Sequence, residues 1–161
     1  TFAKYREQSG LVLINMNNEE MVTAAVAHPL TLIASDGFDV AEGQGHPRSA
    51  GTFSRILGRY VRERGVLSLM DALEKMTLVP ARRLEARIPA MKRKGRVQVG
   101  ADADLTVFDP DTIVDTATFE QPARFSRGVR YLLVGGTLLV EGGALNSEMR
   151  PGQPIRAEIV D

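Results

Sequence analysis

The chain has 161 residues, and twenty basic residues balance twenty acidic ones, so its formal net charge is zero. That balance argues against a dedicated nucleic-acid or polyanion binder, and the absence of cysteine excludes a disulfide framework, a thiolate metal site and a cysteine nucleophile. No apolar run reaches the length of a membrane span and no signal-peptide pattern opens the chain, so a cytoplasmic protein is expected, with 43% hydrophobic content for a packed core.

The first elements alternate strand and helix. Thr1 to Gln8 reads as the last turns of a helix closed by Ser9-Gly10. With no initiating Met, the sequence is expected to be a piece of a longer chain. Leu11 to Ile14 is a continuous apolar run, the pattern of a strand buried on both faces in a parallel sheet. Asn17 or Asn18 can cap the next helix, Glu19 and Glu20 suit its positive first turn, and His28-Pro29 stops it. Leu30 to Ala34 reads as the next buried strand, completing a βαβ unit with a right-handed crossover. That unit ends at Ser35-Asp36-Gly37.

Asp36 has two readings. A carboxylate just past the C-terminal end of a buried strand is how barrel enzymes present a catalytic group; Asp-Gly is also an ordinary turn signal, with the side chain as a local cap. A Gly-rich loop then leads through His46-Pro47-Arg48 into an amphipathic helix. His28, at a helix end before a proline, is read as structural. Zinc needs three or four ligands, so a chain with two histidines and no cysteine cannot build a zinc site of its own.

From Gly51 onward Phe53, Ile56, Leu57, Tyr60 and Val61 share one helix face, arginines and Glu63 occupy the other, and Gly65 supplies a stop. Ser68 with Asp71 marks the start of a second helix striped by Leu69, Leu73 and Met76, and Pro80 suits the first turn of a third. The arginines here are read as a plain helix surface.

After Pro89 the pattern changes to short strands punctuated by glycine and proline. Gly95 to Gly100 leads through Ala101-Asp102-Ala103-Asp104 into the strand Leu105 to Phe108, closed by Asp109-Pro110. Val129 to Val134 and Thr137 to Val140 flank Gly135-Gly136, a strong two-residue hairpin signal. Ile155 to Val160 looks like a final strand. Asp102 and Asp104 lack the spacing of a calcium loop and are given turn and strand-start roles.

Three segments in this order resemble one family: Ser35-Asp36-Gly37; His46-Pro47-Arg48 with Gly51-Thr52-Phe53; and Gly100 to Leu105 with Phe108-Asp109-Pro110. They are similar to the C-terminal part of N-acyl-D-amino-acid deacylases (D-aminoacylases), within the metal-dependent amidohydrolase superfamily. The third segment marks the superfamily; the His-Pro-Arg loop and Ala117-Thr118-Phe119-Glu120 point to the D-aminoacylase branch. Phe38-Asp39-Val40 departs from the Leu-Pro often found after the aspartate, which bears on side-chain specificity.

The resemblance implies an α/β fold: the C-terminal part of a (β/α)8 TIM barrel (last two strands and closing helices), residues 1–88, followed by part of a small β-sandwich domain, residues 89–161. A whole barrel needs about 250 residues, more than this chain holds. The implied reaction is zinc-dependent hydrolysis of the amide bond of N-acyl-D-amino acids, with most zinc ligands on earlier strands outside this chain. Asp36 is then the general base and acid, with a contact to the metal open to it. Arg48 holds the substrate's α-carboxylate or, on the alternative reading, pairs locally at the start of its helix. His46 shapes the loop or touches substrate. The implied partners are the N-acyl-D-amino acid and the N-terminal part of the same protein, and the piece alone is expected to be inactive. Two rivals stand beside this reading: a cyclic-amide amidohydrolase of the hydantoinase or dihydroorotase kind, and a non-catalytic module whose open sheet edges pair with a second copy as a homo-oligomer.

Overall fold

The computed structural model describes residues 16–38 and 45–157. The helix expected at Thr1 to Gln8, the strand at Leu11 to Ile14 and the end of the strand at Ile155 to Val160 lie outside them. Helix α1 spans Glu19–Ala27. Asn18 caps it, its side-chain oxygen accepting the Met21 N–H at 2.9 Å. His28 ends it: its N–H reaches the Ala24 carbonyl at 3.1 Å, and its Nδ1 accepts the Leu30 N–H at 3.2 Å. The structural reading of His28 holds.

Leu30 to Ala34 departs from expectation. The segment joins no strand ladder among the described residues, and Leu30 is 89% exposed. A fully buried parallel strand is built by its neighbours on either side, so an apolar run without them makes no ladder. Its tie is to a helix instead: the Ile33 N–H bonds the Lys75 carbonyl at 3.0 Å.

Helix α2, Arg48–Arg55, continues without a break into a wider π-helical segment, Ile56–Glu63. Gly65, at φ +59°, stops it as the sequence suggests, sending its N–H back to the Val61 carbonyl at 3.1 Å. Helix α3, Leu69–Met76, starts at Ser68, whose Oγ accepts the Asp71 N–H at 3.1 Å. Helix α4, Leu78–Leu84, contains Pro80 in its first turn.

The core gathers where these helices meet the β region: Ile33, Ile56, Leu57, Tyr60, Ala72 and Ile113. Ile113 is wedged between two glycines. A Cβ on Gly58 would stand 2.7 Å from the Ile113 carbonyl oxygen, and one on Gly128 would stand 2.5 Å from its Cα. Only hydrogen fits at either place. Arg62 closes the same joint, its Nη1 donating to the carbonyls of Ile113 (2.6 Å) and Pro110 (3.1 Å).

The β region is a four-stranded antiparallel meander: β1 Leu105–Phe108, β2 Val129–Val134, β3 Thr137–Glu141 and β4 Ala144–Leu145, in that order. The β2–β3 turn is the Gly135-Gly136 pair, at φ +55° and +80°, positive at both centres as a type I′ turn requires. Asp104 pins the turn, its Oδ1 accepting the Gly135 N–H at 2.7 Å, while Lys94 pairs with both Asp102 and Asp104. These are the turn and strand-start roles expected of the two aspartates.

Gly95 to Gly100, the approach to β1, is turn and loop, with Val97 and Val99 exposed. Pro89–Arg93 is a short 3-10 helix. Ile155 to Ala157, the described part of the expected final strand, joins no ladder among the described residues.

Candidate active site

The turn at Ser35-Asp36-Gly37 is built by side chains. Asp36 takes a left-handed φ of +48°, a conformation that aspartate tolerates better than most side chains. Ser35 Oγ accepts the Gly37 N–H at 3.1 Å, and Ser49 Oγ, from the start of α2, accepts the Phe38 N–H at 3.2 Å. The result is a carboxylate at the tip of a fixed turn, its side chain 87% exposed.

Arg48 comes to meet it. The guanidinium Nη2 lies 2.8 Å from Asp36 Oδ2, and Nε donates to the Asp36 carbonyl at 3.0 Å. The arm passes over the Phe38 ring at 5.6 Å, a cation–π distance. Asp36 and Arg48, singled out separately in the sequence, therefore form one unit, and Arg48 is paired locally. With both side chains partly open to water, such a pair is worth less than about 1 kcal/mol. It is a contact that a ligand carboxylate can displace.

His46 stands behind Arg48. Its Nδ1 accepts the Arg48 backbone N–H at 3.0 Å, so the neutral ring carries its proton on Nε2. Burial, with the Arg48 charge added, holds its pKa below the usual histidine value. Its ring meets Phe119 edge-to-face at 5.0 Å and 76°. Ser49 and Phe119 are neighbours of these residues that sequence reasoning did not assign to the candidate site. Ser49 carried no signal beyond its place after Arg48, whereas Phe119 lay in the Ala-Thr-Phe-Glu segment already picked out.

An open apolar cleft of about 330 Å³ lies between α1 and α2, lined by residues including Val22, Val26, Ile33 and Ile56. Its lining stops at Ala34 and includes none of Asp36, His46 and Arg48. Its lining is mostly apolar, with Thr31, Thr52, Arg55 and Tyr60 as its polar members. No group of three or more His, Asp or Glu side chains stands together among the described residues. By themselves these residues do not form a zinc site. No described helix is long and apolar enough to cross a membrane.

The amidohydrolase family model matches residues 14–140, a span that includes the Asp36–Arg48 pair, β1, β2 and all but the last residue of β3. The chain belongs to the amidohydrolase family. Within that family it is 37% identical to the N-acyl-D-glutamate deacylase of Alcaligenes xylosoxydans xylosoxydans, over 93% of this chain and 29% of that protein. It is 41% identical to the D-aminoacylase of the same organism, over 75% of this chain and 24% of that protein. The crystal structure of the N-acyl-D-glutamate deacylase from Bordetella bronchiseptica, complexed with zinc and a phosphonate inhibitor that mimics the tetrahedral intermediate, superposes with a TM-score of 0.74. The two are 39% identical, over 87% of this chain and 28% of that one. The chain thus spans about a quarter of the length of the amidohydrolase relatives it matches. The resemblance to deacylases extends over most of this chain, which favours that branch over the cyclic-amide one.

Proposed function

We propose that this chain is the C-terminal part of a zinc-dependent N-acyl-D-amino-acid deacylase: residues 1–88 close a (β/α)8 barrel, and residues 89–161 contribute to a small β-sandwich. The observation that carries the reading is the Asp36–Arg48 pair, a carboxylate and a guanidinium 2.8 Å apart and twelve residues apart in the chain. Amide hydrolysis of an N-acyl amino acid needs a group to move a proton and a group to hold the α-carboxylate. The pair offers one of each.

In this reading the substrate carboxylate takes the Nη side of Arg48, whose planar fork matches it. The Asp36 carbonyl keeps hold of Nε, so the arm stays aimed while the Asp36 carboxylate is set free. Asp36 accepts a proton as water adds its oxygen to the acyl carbon. It then delivers that proton to the amide nitrogen as the C–N bond breaks, releasing a carboxylic acid and a D-amino acid. Zinc, when bound, polarises the acyl carbonyl and lowers the pKa of water; its ligands come from outside the described residues, with Asp36 as one added contact. The apolar cleft and the exposed Leu30 fit a face made to receive neighbouring barrel elements. The cytoplasm is the proposed location.

The test is hydrolysis by the full-length deacylase containing this chain, with N-acetyl-D-amino acids set against their L-enantiomers and cyclic ureides. Turnover confined to the D-acyl series supports the reading; turnover confined to cyclic ureides replaces it with the hydantoinase-like one. The 161-residue chain alone is expected to be inactive.

A further inference from the structure

The segment between β1 and β2 does more than connect them. A Cβ on Gly51 would meet the Asp115 Cβ at 3.1 Å, so the Asp115 side chain lies close against α2. Arg55 pairs with Asp115 at 3.3 Å, and Ser126 Oγ donates to the Ala50 carbonyl at 3.3 Å. Within the segment, Thr118 and Gln121 close a turn through two bonds, the Thr118 N–H to the Gln121 carbonyl at 3.2 Å and the Gln121 N–H to Thr118 Oγ1 at 3.1 Å. Phe119 sits in this turn, half exposed, with its ring against His46.

From there the contacts run without a gap. Phe119 meets the His46 ring edge-to-face, His46 Nδ1 takes the Arg48 N–H, and Arg48 reaches Asp36 through both Nε and Nη2. An exposed phenylalanine on a tight turn contributes little to a core, yet this one lies on the far side of the only acceptor that the Arg48 N–H is given among the described residues.

We propose that Phe119 is a positioning residue for the substrate carboxylate, acting from the β region through His46 on Arg48. The proposal rests on the deacylase reading, in which Arg48 holds that carboxylate. Phe119 itself touches no reacting atom. A ring that sets the direction of Arg48 affects how well substrate is held, while the proton transfers at Asp36 stay as they are.

The experiment is a double-mutant cycle on KM in the full-length deacylase, using Phe119→Ala, His46→Ala and both together. Phe119→Ala is expected to raise KM about 3- to 10-fold, the range of one aromatic pair, with kcat within about twofold of the parent. The double variant is expected to raise KM no further than His46→Ala, because Phe119 acts through that ring, and Phe119→Tyr is expected to restore the parent value. Since Phe119 is half exposed, Phe119→Leu provides a folded comparison that keeps bulk and loses the aromatic edge. An unchanged KM in Phe119→Ala, or effects of the two single variants that add, overturns the proposal and leaves the deacylase reading standing. A parent enzyme that turns over no N-acyl-D-amino acid overturns both. A drop in kcat and melting temperature with KM unchanged assigns Phe119 to stability and likewise overturns it.

Discussion

Two regions of this chain are held together in different ways. From Arg48 to β4, backbone meets backbone: the π segment buries Ile56, Leu57, Gly58 and Tyr60, and Ile113 is 2% exposed between two glycines that leave room for nothing larger. From Met16 to Gly37 the ties are mostly polar, with Ile33 in the core and Val22 and Val26 packed against it. Helix α1 buries no residue completely, and Ile33 is the one buried hydrophobic there.

What joins that second region to the rest is largely Lys75. This buried lysine sends Nζ to the carbonyls of Val26 (2.9 Å) and His28 and to Thr31 Oγ1 (3.2 Å), and its own carbonyl takes the Ile33 N–H. A cation at the C-terminal end of α1 also suits the helix dipole. A second tie, Glu19 bonded by Tyr60 Oη at 2.9 Å and paired with Arg59 and Arg64, fixes the other end of α1. The difference teaches that the π segment and Ile113 build most of the buried core, to which residues 16–37 add Ile33 alone as a buried side chain. The Ser35-Asp36-Gly37 turn sits at the end of the Met16 to Gly37 region and is steadied by Arg48 and Ser49 from the other.

Substitutions can separate the two regions. The largest expected effect is on chemistry: Asp36→Asn should lower kcat of the full-length deacylase by about 10²- to 10⁴-fold, the range for a lost general acid–base group, with an unchanged melting temperature because the side chain is exposed. Near-parent kcat would remove Asp36 from the reaction. Next comes the tight joint. Ile113→Ala should cost about 2–5 kcal/mol in denaturant unfolding; a loss under about 1 kcal/mol would mean that Ile113 does not hold the helices to the meander.

Arg48→Lys keeps the charge and loses the fork, so KM should rise about 10-fold or more with little change in kcat. An unchanged KM would take Arg48 out of the carboxylate site. Lys75→Met removes three donors and leaves carbonyls unsatisfied, with an expected cost of about 1–3 kcal/mol. Hydrogen exchange should then rise in α1 and residues 30–34 and stay low in β1 to β3, and uniform change across both regions would erase the distinction.

The smallest effect is that of pH at His46. Its folded pKa lies below the unfolded value, so the unfolded chain takes up the proton first. Its contribution to stability is complete above the unfolded value of about 6.5 and declines as pH falls from there toward the folded pKa. Denaturant midpoints at pH 8 and 5.5 should differ more for the parent than for His46→Asn, and equal differences would refute the assignment.

Much of the local structure was legible because its causes are local. Asn18 and Ser68 cap helices through their own side chains, Gly65 supplies a left-handed stop, and Gly135-Gly136 forms the turn that two positive φ values demand. Three of the four strands follow from β-branched and apolar runs between turn residues. For the site, the sequence identified Asp36, His46 and Arg48 but carried no sign that Arg48 would lie on Asp36, or that Phe119, over seventy residues on, would lie against His46.

What the sequence determined by itself, then, was where helices begin and stop, where the hairpin turns, and which residue types could move a proton or hold an anion. Tertiary structure decided the rest. The apolar run at Leu30 to Ala34 joins no ladder among the described residues, because a ladder requires partners that propensity cannot supply. Helix α2 widens into a π segment beside Gly58, where the Ile113 carbonyl comes in close. The Asp36–Arg48–His46–Phe119 chain of contacts exists only because packing around Ile113 and Gly51 brings the β region against the start of α2, and distances of that kind are set by packing rather than by spacing along the chain.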